Sequence, residues 1–212
     1  EKSPGHVFYW NEIKREFPEA KVIHIVRDGR DVASSIINAR MGPKTYYAAA
    51  QMWRDYLARI ETIKQDCAEE QFIEVRYESL LADPKGNLQK ICDLLGVTYS
   101  DSMLNFFEKD TNYRTDKTNL ENLRKPLMAD NQEKWRKNLS AEDLQEFETV
   151  AGDFLSRFGY ATANKLGPLP STRLNYLKSP AIRFVSRAKD VQGHKEFLSI
   201  KGIKLRRKFN RL

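Results

Sequence analysis

The stretch KVIHIVRDGRDVASSI, residues 21–36, constrains the fold of this chain more than any other. An apolar run over residues 21–26 ends in Arg27, Asp28, Gly29, Arg30 and Asp31, four of them charged. A near-continuous apolar segment without polar alternation predicts a strand covered on both faces. A helix is expected at once after it, from about Asp31 to Arg40, stopped by the MGP that follows. Strand running straight into helix is the unit of α/β folds. Ligands there lie beyond the carboxyl ends of the strands, where helix N-termini present unpaired N–H groups. Arg27 at that end, a positive helix dipole, and the hydroxyls of Ser34 and Ser35 together describe an anion pocket, with phosphate the natural guest. Asp31 is expected to cap the helix and Gly29 to let the chain turn sharply. The same residues also suit a surface pairing of Arg27 and Arg30 with Asp28 and Asp31, and composition does not choose between the two.

The remainder alternates helix and strand. Pro4 to Phe17 reads as a helix with proline in its first turn. A long helix beginning near TYYAAAQMW carries Met52, Tyr56, Ile60 and Ile63 at helical spacing. FIEVRY is a second short strand, and Asp83-Pro84 launches a helix whose inner face is Leu88, Ile91, Leu94 and Leu95, stopped by Gly96. Residues 109–139 are polar, basic and irregular, and SAED at 140–143 is a capping box for a helix to about Phe158, with Gly159 after it. The predicted class is α/β, a parallel sheet flanked by helices. Two strands are few for such a sheet, so a further N-terminal strand is expected outside these residues.

With 212 residues the chain is long enough for one sizeable core, and it holds no run of eighteen apolar residues of the kind that crosses a bilayer. Cys67 and Cys92 form no metal spacing, Cys92 sits on an apolar helical stripe, and His24 is expected to be a core residue of its strand. The net charge of +7 is unevenly spread: residues 171–212 hold twelve Lys or Arg against Asp190 and Glu196. A tail of that sign suits an anionic surface, although a solvated charged terminus has the same composition.

VRDGRDVASS resembles the 3′-phosphate-binding segment of sulfotransferases that use 3′-phosphoadenylyl sulfate (PAPS). The likeness continues in order along the chain. EKSPGH resembles a segment preceding that region, FPEAKVIHIVRDGRDV is similar to the approach seen in tyrosylprotein and bacterial branches, and VRYESLLADPKGNLQKICDLLGV resembles the family's Arg-Tyr-Glu-Asp-Leu segment and its helix. KWRKNLSAEDLQEFETVAGDFLSRFGY is similar to the family's closing Trp-containing stretch and terminal helix. The resemblance spans about residues 1–160. It implies a P-loop-kinase-like sulfotransferase fold, a sulfotransferase domain over 1–160, a linker at 161–180 and a basic tail at 181–212.

The resemblance also implies roles. Arg27 and Ser35 match the grip on the donor's 3′-phosphate, and Tyr77 matches a tyrosine that reaches the adenine. Lys125, or its neighbour Arg124, stands where a late basic residue returns to the 3′-phosphate. Glu1 matches the base of the heparan N-sulfotransferase branch, and Lys2 a lysine near the transferring group. PAPS is the implied donor and PAP the product, with no metal. The acceptor is a hydroxyl or amine of a glycan, protein tyrosine, lipid or small molecule; no nucleic acid partner is expected, and the tail has a possible anionic surface as its partner. The family's phosphate loop, of Pro-Lys/Arg-Ser/Ala-Gly-Ser/Thr-Ser/Thr type, does not occur in these residues. The expectation is therefore the C-terminal portion of a sulfotransferase, inactive alone, of cytoplasmic location with the Golgi lumen as the alternative. A nucleotide or small-molecule kinase of related fold, which would need Mg²⁺, and a non-catalytic anion- or membrane-binding protein are the rival readings.

Overall fold

The computed structural model describes residues 2–39, 42–108 and 125–163. They form two compact units: one from the described residues of Glu1–Phe8, Asp28–Arg59 and Trp135–Leu212, the other from those of Tyr9–Arg27 and Ile60–Lys134.

The second unit holds the sheet. Strands β1 (Val22–Val26) and β2 (Phe72–Arg76) pair in parallel, in a register running from Val22 opposite Phe72 to Val26 opposite Arg76. Only one face of β1 is well covered by the described residues. Val26 is buried, while Ile23 and Ile25 on the opposite face remain 38% and 50% exposed, so the expectation of a strand covered on both faces is corrected. His24 sits opposite Glu74 in the register, with Nδ1 3.0 Å from Oε2, a cross-strand polar pair where a plain core histidine was expected. That contact holds the Glu74 carboxyl below its usual range against the opposing effect of burial.

A 3₁₀ turn over Pro4–Tyr9 leads into α1 (Trp10–Glu16), so the predicted N-terminal helix is divided. Trp10 Nε1 and Lys14 Nζ reach the Asp66 carboxylate at 2.7 and 2.8 Å, and the lysine contact leads in depressing that carboxyl's pKa. After β2 come α4 (Tyr77–Ala82) and α5 (Pro84–Leu95). The Asp83 side chain accepts from Gly86 N at 2.9 Å, Pro84 opens the helix, and Gly96 at φ +69° closes it. Cys92 is buried in α5, whereas Leu95 is exposed.

In the first unit, α2 (Gly29–Ile36), the part of α3 (Tyr46–Asp66) up to Arg59, α6 (Trp135–Asn138) and α7 (Ala141–Arg157) enclose an aromatic core. Ser140 caps α7 by accepting from Asp143 N at 3.1 Å. Phe147, Ala151, Phe154 and Leu155 from α7 are buried in this unit, as are Ala49, Ala50, Trp53 and Leu57 from α3. Of the stripe expected on α3, Ile60 and Ile63 are buried, whereas Trp53 and Leu57 take the inward places expected of Met52 and Tyr56. Each large apolar side chain buried this way contributes about 1.5–3 kcal/mol.

Candidate functional site

Helix α2 begins at Gly29, earlier than expected, because Asp28 is its cap: Oδ1 accepts from Arg30 N at 2.9 Å. Asp31 does not cap. Its Oδ1 accepts from the backbone N–H of Trp135 at 2.8 Å and ties α6 to α2. Gly29 is not needed for a left-handed turn; a Cβ there would lie 2.5 Å from the Trp53 indole and 2.7 Å from the Phe147 ring. Close packing requires this glycine.

Arg30 is buried within the same unit, and its fork is fully engaged. Nε and Nη2 donate to the two Asp28 oxygens at 3.0 and 2.7 Å, and Nη1 donates to Glu148 Oε1 at 2.7 Å. The guanidinium carbon lies 3.9 Å from the Trp135 ring centroid. Burial opposes the charge, but Asp28 and Glu148 more than reverse that effect and hold the guanidinium above its ordinary pKa. Glu148 Oε1 also accepts from Ala163 N at 2.9 Å. Three of the four charged residues in the cluster, Asp28, Arg30 and Asp31, therefore brace α2, α6 and α7 from inside, and Arg30 is not a surface pairing or a ligand for an outside anion. Ser34 and Ser35 stand in the second turn of α2. Ser35 is exposed, and Ser34 Oγ is buried beside the Tyr46 phenol. Burial pushes the Tyr46 phenol up, and the nearby Ser34 hydroxyl pulls it the other way.

Arg27 belongs to the second unit. Because β1 and β2 are parallel with Val26 opposite Arg76, the next residues of each, Arg27 and Tyr77, leave the sheet at the same carboxyl edge. Arg27 lies over the Tyr77 ring, 4.6 Å from guanidinium carbon to centroid, and its Nη2 donates to Asn131 O at 2.8 Å. Asn131 Nδ2 in turn donates to the Tyr77 hydroxyl at 2.8 Å. The structure thus joins two predicted residues, Arg27 and Tyr77, and adds Asn131, which the sequence reading missed. Nothing in a polar loop marks one asparagine for a contact 104 residues away. Lys125, at the start of the same loop, is exposed, as is Lys2. Glu1, Arg124 and the basic tail lie outside the described residues. A cation stacked on an aromatic face, next to phenol and amide groups, has the donor chemistry for an anionic, aromatic ligand at a strand end.

Several known proteins are similar to this chain. Residues 1–101 match the model described as "Sulfotransferase family". The chain is 25% identical to protein-tyrosine sulfotransferase A of Caenorhabditis elegans over 70% of its length, and 27% identical to protein-tyrosine sulfotransferase 2 of Gallus gallus, also over 70%. It is 29% identical over 45% of its length to an omega-hydroxy-beta-dihydromenaquinone-9 sulfotransferase of Mycobacterium bovis. It spans 41%, 42% and 28% of the lengths of these three relatives. Among solved structures, the sulfotransferase domain of the Synechococcus PCC 7002 olefin synthase superposes with a TM-score of 0.53 at 28% identity, covering 71% of this chain and 50% of that one. The sulfotransferase domain from the curacin biosynthetic pathway gives a TM-score of 0.60 at 16% identity, covering 76% and 62%. Over residues 1–101 this sequence is similar to the sulfotransferase family, and its fold is the α/β sulfotransferase fold. PAPS is the donor that the family implies.

Proposed function

We propose that this chain works in sulfuryl transfer from PAPS to an acceptor hydroxyl, and that Arg27 and Tyr77 receive the adenosine 3′-phosphate end of the donor. In the reaction the bond from sulfur to the bridging phosphate oxygen breaks and a new S–O bond forms to the acceptor. The acceptor's proton passes to a base, and PAP departs. Loose transfers of this type gain most from positioning and from cations set against the leaving oxygens. The observation that carries the reading is the Arg27–Tyr77 stack at the carboxyl edge of β1 and β2. Its aromatic member offers a face to a base, and its guanidinium offers a fork suited to a dianion. The names of the relatives, a protein-tyrosine enzyme and an omega-hydroxy menaquinone enzyme, share a hydroxyl acceptor and favour oxygen over an amine. Ser35, Lys125, Lys2 and Glu1 keep the roles carried by the resemblance, with residues 1–160 as the sulfotransferase domain; alanine substitution of each tests its role.

Isothermal titration of the 212-residue chain with PAP and with AMP, which lacks the 3′-phosphate, tests the reading. Wild type should prefer PAP, and Arg27→Ala should lose about ten- to hundred-fold in PAP affinity, the range for one charge-assisted contact, with little change for AMP. Equal affinity of wild type for the two nucleotides, or a preference for Mg²⁺-ATP, overturns it.

A further inference from the structure

We infer that Asn131 is a positioning residue that sets the direction of the Tyr77 phenolic proton, making Tyr77 a hydrogen-bond donor to the bound nucleotide. The inference rests on the function proposed above. A phenol carries one proton and accepts through its lone pairs. Asn131 Nδ2 donates to Tyr77 Oη at 2.8 Å, so the Tyr77 proton has no acceptor on that side and turns elsewhere. The cation over the ring is Arg27, a group with donors only, and it offers no acceptor either. The proton is thereby directed to an acceptor supplied by the ligand, a purine ring nitrogen or a phosphate oxygen. An exocyclic amine, which donates, does not satisfy it. The backbone carbonyl of the same asparagine holds the guanidinium by accepting from Arg27 Nη2 at 2.8 Å. One loop residue thus orders both predicted contacts, the side chain acting on the phenol and the main chain on the cation. Only the first arm is lost on substitution, which separates them experimentally.

The test is a double-mutant cycle on PAP affinity, read by titration calorimetry, with Asn131→Ala, Tyr77→Phe and the pair. A single neutral hydrogen bond corresponds to about three- to tenfold in affinity. Each single variant should weaken PAP binding by about that factor, and the pair should bind no more weakly than Tyr77→Phe alone, because Asn131 acts only through the hydroxyl. A role of Asn131 that does not run through the Tyr77 hydroxyl would instead give losses that multiply, and multiplying losses overturn the inference, as does unchanged affinity in Asn131→Ala. Thermal unfolding identifies any variant that fails to fold; Asn131→Ser then takes the place of Asn131→Ala in the same cycle. Absence of PAP binding in wild type overturns the function itself, whereas wild-type binding with multiplying losses overturns only the role of Asn131.

Discussion

Replacing Arg30 by methionine tests the view that the RDGRD segment is partly an internal brace. Arg30 is 3% exposed, and it lies among Asp28 and Glu148, themselves 6% and 0% exposed. The substitution keeps most of the side-chain volume and removes three charge-assisted hydrogen bonds, at 3.0, 2.7 and 2.7 Å, together with the cation over Trp135. Each such bond is worth about 1.5–3 kcal/mol, but much of that total is offset by the cost of desolvating the guanidinium. The expected loss is that of a buried pair broken on one side, about 3–5 kcal/mol, since two carboxylates are left without their cation. Urea unfolding followed by far-UV circular dichroism reads it. With a slope of about 2–3 kcal/mol per molar urea, the midpoint should fall by roughly 1–2 M. Arg30→Lys, which keeps the charge and loses the planar fork, should fall between wild type and Arg30→Met. Adding Glu148→Leu to Arg30→Met should recover part of the loss, because the orphaned acid is removed with its partner. A midpoint for Arg30→Met within experimental scatter of wild type would refute the reasoning, since a solvated surface pairing predicts that result.

Two further substitutions probe the same architecture. Gly29→Ala should destabilise the protein even though alanine favours helix: the new methyl meets the buried Trp53 indole at 2.5 Å. The expected loss of about 1–3 kcal/mol is seen as a lower melting temperature, and an unchanged or raised one removes the close-packing argument. The His24 contact holds the Glu74 carboxyl below its ordinary value of 4.5, so its stabilisation is present above that pH and disappears as pH falls through the depressed value. Glu74→Gln should therefore flatten the acid limb of a stability-against-pH curve and leave its alkaline side unmoved. An acid limb identical to wild type would show that the pair contributes nothing.

The local signals in this chain were strong wherever backbone chemistry alone decides an element. Asp83-Pro84 with Gly96, and Ser140 with Gly159, delimit their helices as read, because a cap and a terminating glycine act over a few residues. The RDGRD cluster divided differently from expectation. Asp28 and Asp31 have the same chemistry, and only the packing of α6 and α7 decides that one caps α2 while the other receives Trp135. Arg27 and Arg30 are likewise alike in sequence, yet one stacks on Tyr77 and the other is enclosed by carboxylates. The apolar run of β1 predicted two covered faces, but hydrophobicity reports what a strand can bury, and Ile23 and Ile25 remain exposed. Asn131 had no local signature, since its contacts come from the ends of two distant strands.

The placement of the indoles gives the molecule a built-in optical reporter. All three tryptophans are described, and the two buried ones, Trp53 and Trp135, belong to the same unit, whereas Trp10 lies in the other with its ring nitrogen bonded to Asp66. A red shift of intrinsic emission on denaturation therefore reports chiefly the opening of the unit built from α2, α6 and α7. Phenylalanine at position 53 or 135 would divide that signal between the aromatic core and the guanidinium-capped indole.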